Sequence, residues 1–169
     1  MAADAEGAST RDSTGRVRAA LLAVGHPDTI IVFPDGTRTS EDAAAAVGCH
    51  VAQIAKSMIF RPRGPAAGRP VLVLTSGANR VDSSRVAAAL GFPVKRADAD
   101  WVRAVTNFAI GGVSPVGLLT NPIALLDEDL LKLNPVWAAA GSPHHVFRTT
   151  AAELLRLTGA KVAAVKLEG

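Results

Sequence analysis

The chain has 169 residues, a length that favours one domain, and 49% of them are hydrophobic, enough to bury a substantial core. Its formal net charge of +3 is too small to argue by itself for nucleic-acid binding. Aromatic residues make up 4% of the chain and tyrosine is absent, which argues against a surface that stacks successive bases of a single strand. The single cysteine, Cys49, excludes an internal disulfide.

The amino-terminal stretch MAADAEGASTRD is polar and predicts a disordered tail over residues 1–12, which leaves residues 13–169 as the folded domain. The stretch has no basic segment followed by an apolar one, so it does not predict a signal peptide. No run approaches the ~18 apolar residues of a membrane span. We therefore expect a soluble, cytoplasmic protein with no membrane partner.

Residues 13–48 predict two helices around a strand. One helix begins after Ser13, carries apolar residues at helical spacing and closes at Gly25. TIIVF follows and predicts a buried strand. Thr39, three residues before Asp42, resembles a capping box and begins a short helix that ends at Gly48.

Strands and helices then come in clusters. KSMIF and PVLVLTS predict strands joined by an exposed loop, RPRGPAAGR. DSSRVAAALG predicts a helix that Asp82 caps and Gly91 ends, and DADWVRAVTNF predicts a helix with Asp98 or Asp100 at its start. IALLD, VWAAAG and HVFR predict short strands, TAAELLRLTG a helix with a capping box from Thr150 to Glu153, and KVAAVK a last strand. This order predicts an α+β (mixed α/β) single domain rather than a regular βαβ repeat.

The segment GGVSPVG, residues 111–117, is the strongest candidate for a functional loop. A serine-nucleophile elbow requires G-x-S-x-G and a backbone N–H after the serine, whereas Ser114 is followed by Pro115, which has none. The alternative for Ser114 is a hydroxyl that satisfies nearby backbone groups. Gly111 and Gly112 fit either a tight turn or a pair of uncovered amides that approach a substrate carbonyl.

The histidines do not predict a metal site. His144 and His145 would point to opposite faces of a strand, and no Cys/His cluster accompanies them. Cys49 beside His50 more simply predicts a small buried thiol than a nucleophile and its base. We expect neither a metal nor another cofactor.

Four segments in fixed order, AKSMIF, VLVLTSGANRVDSSRVAAALG, FAIGGVSPVG and AAAGSPHHVFRTTAAEL, resemble the YbaK/EbsC family of aminoacyl-tRNA deacylases. That family is related to the editing domain of bacterial prolyl-tRNA synthetases. The resemblance runs roughly from Ser40 to Val165. It implies a largely antiparallel, partly barrel-like mixed sheet flanked by helices, and hydrolysis of the ester between a wrong amino acid and the 3′ end of a tRNA.

The resemblance also implies the roles of individual residues. Lys56 matches the lysine expected to bind the phosphate of the terminal adenosine, a role that suits a compact point charge. Gly111 and Gly112 match the glycines whose backbone holds the substrate carbonyl, and Ser114 and Pro115 match the pair that shapes the loop. The tRNA's own ribose hydroxyl would position or activate water, so that no attacking side chain is required.

Substrate contacts are expected from two further groups of residues. Apolar side chains near the loops are candidates for a pocket that selects by size: Ile54, Met58, Phe108 and Ile110. In the second loop some family members place a serine near Ala139 and an aspartate near Val146; here Gly141, Ser142 and His144 are the candidate polar contacts.

The expected partners are the acceptor end of an aminoacyl-tRNA and, through the family, prolyl-tRNA synthetase. Residues 61–103 hold eight Lys/Arg against three Asp, and Arg61, Arg63 and Arg69 are either contacts to the tRNA backbone or ordinary solvated charges. The altered second loop leaves open a non-catalytic module that binds tRNA or a synthetase. A hydrolase of small free esters is a third hypothesis.

Overall fold

The computed structural model describes residues 2–64 and 69–168, with side chains from Ser13 onward. Its helices are α1 (Ala2–Ala23), α2 (Ser40–Val47), α3 (Ser83–Leu90), α4 (Ala99–Thr106) and α5 (Ala151–Thr158). Its strands are β1 (Ile30–Val32), β2 (Ile54–Pro62), β3 (Val71–Ser76), β4 (Val94–Arg96), β5 (Ile123–Asp127), β6 (Val136–Ser142), β7 (His145–Thr149) and β8 (Lys161–Ala163). Short 3₁₀ turns precede β2 and follow β5.

The strands form one mixed sheet in the order β1-β7-β6-β2-β3-β5-β8, with β4 attached to β2 outside this path. The pairs β1–β7, β2–β3, β2–β4 and β6–β7 are antiparallel. The pairs β2–β6, β3–β5 and β5–β8 are parallel. The predicted fold class, a mixed α/β single domain with a mixed sheet and flanking helices, is confirmed.

The sheet branches at β2, and the branch leaves a gap. On one side, β2 pairs continuously with β3 from Ala55 to Phe60. On the other side, it pairs with β6 only through Ile54 and Ala55, and with β4 only from Phe60 onward. Among the described residues, positions 56–59 of β2 therefore have a strand partner on one side only.

The core lies on both faces of the sheet because strand residues alternate between them. Ala55 and Ile59 of β2 belong to a cluster that includes Phe108 and Phe147, whereas Phe60 belongs to a second cluster with α3. Val17 and Leu21 of α1 are fully buried in the first cluster, as their helical spacing predicts.

The predicted helix starts are confirmed wherever a side chain near the start caps the backbone. Such a side chain accepts the N–H of a residue in the first turn and so satisfies one of the orphan donors. The pairs are Thr39 with Asp42, Asp82 with Ser84, Asp98 with Trp101 and Thr150 with Glu153.

Two predictions about the first elements need correction. The helix predicted to begin after Ser13 begins at Ala2. The strand TIIVF was expected to be buried, but β1 lies at the sheet edge, and Val32 is 61% exposed. The division into a tail over residues 1–12 and a domain over 13–169 stays a prediction. In the predicted loop after β2, residues 65–68 lie outside the described part of the chain.

In the described part of the chain, no helix combines the length and apolar character that crossing a bilayer requires.

Candidate functional site

A cavity of about 230 Å³ opens at the gap beside β2. Its floor is formed by residues 54–58 of β2, and its walls come from the start of α2, from β6 and β7, and from the loop after α4. The hairpin β6–β7 is bulged between Ala139 and Ser142, and Ser142 and His145 at its tip line the cavity. Four separate segments of the chain thus converge on one concave surface, the usual setting of a ligand site.

Lys56 contributes a cation to this cavity. It lies within β2, paired with Thr75 of β3, and its side chain is partly buried. Among the described residues, Lys56 makes no salt bridge and no side-chain hydrogen bond, whereas Arg18, Arg85, Lys132 and Arg156 each lie beside a carboxylate. An unpaired ammonium in a partly buried position favours an anionic ligand, because nearby charges interact more strongly there than in bulk water.

Gly111 and Gly112 lie in the loop after α4. Asn107 caps the carboxyl end of this helix in a left-handed backbone conformation (φ 62°). Gly111 lines the cavity at φ 94°, a backbone conformation that side chains rarely adopt. A Cβ on Gly112 would lie 2.6 Å from Cα of Ser142, so only glycine allows this loop to contact the β6–β7 hairpin. The loop geometry therefore depends on both glycines for different reasons.

The two glycine amides are not equivalent. The Gly112 N–H donates to the Ala109 carbonyl at 3.0 Å and closes a turn. The expected use of both glycine amides as substrate donors therefore needs correction, because the Gly112 donor is already engaged. In the described part of the chain, the N–H groups of Gly111 and Val113 have no hydrogen-bond partner, and both residues line the cavity.

Ser114 is fully buried and does not line the cavity. Its hydroxyl accepts the N–H of Val116 at 3.1 Å, which closes a local turn around Pro115. This is the backbone-satisfying role that the sequence left open. Ser114 therefore shapes the loop, as the resemblance implies for this position, and does not contact a bound molecule in the cavity.

The tip of the β6–β7 hairpin places a serine and a histidine in the cavity wall. The Ser142 hydroxyl lies 2.6 Å from Nδ1 of His145 and accepts the His144 N–H at 3.0 Å. The hydroxyl keeps a second lone pair and its own hydrogen, so it pairs with Nδ1 as donor or as acceptor according to the tautomer of the ring. Burial lowers the pKa of His145, and the nearby charges of His144 and Arg18 lower it further, so the neutral ring predominates at pH 7.

Of the predicted site residues, Lys56, Gly111, Ile54, Met58, Ile110 and Ser142 do line this one cavity. Phe108 does not: it is 1% exposed in the core, with the Arg16 guanidinium 5.0 Å from its ring centroid. Gly141 faces α1, where an added Cβ would lie 2.8 Å from the Ser13 carbonyl. His144 packs on Gly36 and contacts the Phe33 carbonyl through Nδ1 at 2.9 Å.

Several residues that line the cavity were not predicted from the sequence. Arg38 and its neighbours at the start of α2 line the cavity, as do Ser57, Trp137 and His145. Alternation along a strand separates His144 from His145, but only the register of β7 decides which of them faces the cavity. No motif links residues 37–40 to the other walls.

Two of the three arginines considered as tRNA contacts, Arg61 and Arg69, have partners within the protein. The Arg61 guanidinium lies 5.0 Å from the ring centroid of Trp101, and Arg69 donates from Nε to the Asn121 carbonyl at 3.1 Å. Among the described residues, the Arg63 side chain has no hydrogen-bond or salt-bridge partner, and its backbone N–H donates to the Pro93 carbonyl at 2.9 Å. Arg61 and Arg69 are thus partly held in place by the fold.

The sequence and the fold both match one family. The chain belongs to the aminoacyl-tRNA editing domain family, whose model matches residues 34–157. The uncharacterized protein YwhH of Bacillus subtilis (strain 168) is 31% identical over 130 residues, which cover 77% of this chain and 81% of YwhH. The resemblance inferred from the sequence is confirmed.

Solved structures agree. A candidate trans-editing enzyme for prolyl tRNA synthetase is 44% identical and superposes with a TM-score of 0.86 over 92% of this chain and 98% of its own. The hypothetical protein APE2540 is 30% identical, with a TM-score of 0.83 over 90% of this chain and 99% of its own.

Proposed function

We propose that this protein is a trans-editing hydrolase that deacylates mischarged aminoacyl-tRNA, removing a small amino acid from tRNA-Pro or a similar tRNA. The observation that carries the proposal is that Lys56, an unpaired cation, and Gly111, a residue with an uncovered amide, line the same cavity in a member of the editing-domain family. The 44% identical candidate trans-editing enzyme for prolyl tRNA synthetase supports the choice of tRNA and the link to that synthetase.

Lys56 binds the phosphate of the terminal adenosine in this proposal. A charge-assisted contact between an ammonium and a phosphate is shorter and stronger than a neutral hydrogen bond. Since no described carboxylate competes for Lys56, the ammonium meets the phosphate without first breaking an internal ion pair. The contact anchors the nucleotide and thereby places the ester beside the loop at Gly111.

The backbone at Gly111 and Val113 then stabilises the reaction. Attack of water on the ester carbonyl places negative charge on the carbonyl oxygen, and a positioned donor at that oxygen lowers the barrier by about 3 kcal/mol. Collapse of this intermediate breaks the bond between the acyl carbon and the ribose oxygen, which takes a proton from the attacking water and leaves as the tRNA hydroxyl. The tRNA's ribose hydroxyl positions or activates the water, as the resemblance implies. An aminoacyl ester is already activated, so this degree of catalysis suffices, and the mechanism requires neither metal nor cofactor.

The Ser142–His145 pair is the rival source of a nucleophile. In a serine-hydrolase triad the serine bonds Nε2 of the histidine, and a carboxylate holds Nδ1. Here Ser142 bonds Nδ1, and no carboxylate among the described residues contacts His145. The pair therefore lacks the third group that completes a triad, and we assign it to holding the hairpin tip.

The cavity walls suit a small acyl group. Ile54, Met58, Ile110 and Trp137 line them, and a size-based pocket discriminates by about 1–3 kcal/mol per methylene, which is why a separate editing step is useful. Ala139 and Val146, which stand where some family members have a serine and an aspartate, also line the cavity. At these two positions the second loop therefore presents apolar side chains to the cavity that Lys56 and Gly111 also line.

The test is deacylation of a panel of purified aminoacyl-tRNAs by the wild-type protein and two lysine variants. We expect Lys56→Ala to lose about 10- to 150-fold in kcat/KM, the value of one hydrogen bond to a charged group. Lys161→Ala is the matched control, since Lys161 lies at the far edge of the sheet on β8, and it should match wild type.

Each other outcome has a distinct meaning. Binding of tRNA without cleavage of any ester would support the non-catalytic module and contradict the proposal. Equal cleavage of small esters that lack the terminal adenosine, unaffected by Lys56→Ala, would support a general esterase. Cleavage that requires Lys56 and the nucleotide is the result that the proposal predicts.

A further inference from the structure

The hydroxyl of Ser57 is buried and has no hydrogen-bond partner. Ser57 follows Lys56 on β2, and strand alternation places its side chain on the same face as Ala55 and Ile59. Among the described side chains only one other, Thr14, has an oxygen in the same condition. An orphaned buried hydroxyl requires an explanation, because leaving it unpaired destabilises the protein.

A second, smaller cavity of about 70 Å³ lies against Ser57. Ser57, Met58, Ile110, Gly111 and Val113 line both this cavity and the larger one, so the two spaces share the wall that includes the unpaired amides. With ~30 Å³ per water-sized group, the smaller space holds about two heavy atoms. That is the size of a hydroxymethyl group. The other residues that line the smaller cavity are the apolar Ile59, Ala97 and Val102, together with Arg96.

We propose that Ser57 recognises a hydroxyl on the side chain of the acyl group, so that the preferred substrate is a seryl ester. This inference rests on the proposed deacylase function. A scissile carbonyl at the Gly111 amide brings the side chain of the amino acid to the wall that the two cavities share. A seryl side chain then enters the smaller cavity and gives the Ser57 hydroxyl its missing partner.

The hydrogen-bonding capacity of Ser57 selects among the polar groups of the substrate. A hydroxyl both donates and accepts, so Ser57 and a seryl hydroxyl can satisfy each other. The α-ammonium group has donors only and would leave the Ser57 hydrogen unpaired. The methyl group of an alanyl ester offers neither, so Ser57 stays orphaned when alanine is bound and the alanyl ester binds less well.

The experiment compares seryl and alanyl esters on one tRNA, with wild type, Ser57→Ala and Thr14→Ala. Wild type should cleave the seryl ester with a kcat/KM about 5- to 150-fold above that of the alanyl ester, the range for leaving a buried polar group unpaired. Ser57→Ala should lose this preference by slowing on the seryl ester only. Thr14→Ala removes the other orphaned hydroxyl, which lines neither cavity, and should keep the preference.

Folding does not confound the comparison. Because the Ser57 hydroxyl has no partner to lose, Ser57→Ala should melt at or above the wild-type temperature. If Ser57→Ala slows both esters equally, or if wild type shows no seryl preference, the inference is overturned while the deacylase proposal stands. If wild type cleaves no ester on the panel and Lys56→Ala changes nothing, the proposed function itself has failed.

Discussion

Two polar clusters on the same sheet differ in one respect. At the carboxyl ends of β3 and β5, the fully buried carboxylate of Asp127 accepts bonds from Thr75, from the Ser76 N–H and from Asn79 through Oδ2, at 2.8–3.1 Å. Its other oxygen accepts the Asp129 N–H at 3.0 Å. At the gap beside β2, by contrast, the Lys56 ammonium, the Ser57 hydroxyl and the Gly111 amide lack protein partners among the described residues.

The difference separates structural from binding groups. A buried polar group that is fully bonded inside the protein stabilises the fold and offers nothing to a ligand. A set of donors that converges on a cavity without partners is stabilised only when something binds. Asp127 is a fully buried acid, but both of its carboxylate oxygens accept hydrogen bonds from within the protein. This bonding pattern indicates a structural role for Asp127 and leaves the proposed chemistry to β2 and the glycine loop.

The largest expected effect is on the structural side. Asp127→Ala removes the acceptor for several buried donors, and each orphaned donor costs about 1–3 kcal/mol. We expect the free energy of unfolding to fall by about 3–5 kcal/mol, measured by urea denaturation. Asp35→Ala, at an exposed aspartate in a loop, is the control and should change stability by less than about 0.5 kcal/mol. A stable Asp127→Ala protein with altered activity would reverse the assignment.

Gly112→Ala should damage the site through geometry. Its Cβ would meet the backbone of Ser142 at 2.6–2.8 Å, so the loop must move away from the hairpin at a cost of about 1–3 kcal/mol. The displaced Gly111 amide should lower kcat/KM for deacylation about 10- to 100-fold, up to the value of one oxyanion donor. Gly15→Ala, which meets nothing within 4 Å, should keep full activity. Full activity in Gly112→Ala would mean that the loop position does not matter.

Ser114→Ala should have a smaller effect, and on stability. The Val116 N–H loses its acceptor, so the free energy of unfolding should fall by about 1 kcal/mol. Deacylation should stay within a few-fold of wild type, since Ser114 does not reach the cavity. Loss of activity in a well-folded Ser114→Ala protein would restore the serine-nucleophile hypothesis for this loop.

The smallest effect is a pH dependence that originates at His145. Burial lowers the pKa of His145 in the folded state, whereas the unfolded chain titrates near about 6.5. Below that pH the unfolded state binds more protons, so stability is full above about pH 6.5 and decreases as the pH falls. The melting temperature should therefore drop between pH 7.5 and 5.5, and His145→Gln should reduce that drop. An unchanged drop in the variant would show that another group controls it.

The structural features that the sequence predicts best are those set by local interactions, such as helix caps. The caps at Thr39, Asp82 and Thr150 depend on a few neighbouring residues and form as expected, and Asp98 is the cap where the sequence left Asp98 and Asp100 open. The exposure of β1 and the existence of β4 were not predicted, because a sheet edge and a three-residue strand depend on tertiary partners. Similar apolar runs occur at edge and central positions.

The sequence predicted the site residues that lie in the segments resembling the family. It did not predict the residues whose access to the cavity depends on the gap in the sheet. Lys56 and Gly111 were expected together and lie on one cavity. Ser57 and Arg38 were missed because their exposure to the cavity follows from where β6 and β4 stop pairing with β2. Phe108 was expected in the pocket, but an aromatic residue next to a loop can equally turn into the core, and it does.

The central claim is that bare backbone amides and an anchoring cation cleave the ester without an attacking side chain. The direct measurement is intact-protein mass after acid quench during single turnover of a mischarged tRNA, on wild type and Ser142→Ala. The account predicts unmodified protein at every time point and a Ser142→Ala rate within about 10-fold of wild type, far from the ~10⁶-fold loss that removal of a serine nucleophile causes. A transient acyl adduct that disappears with Ser142 would contradict it.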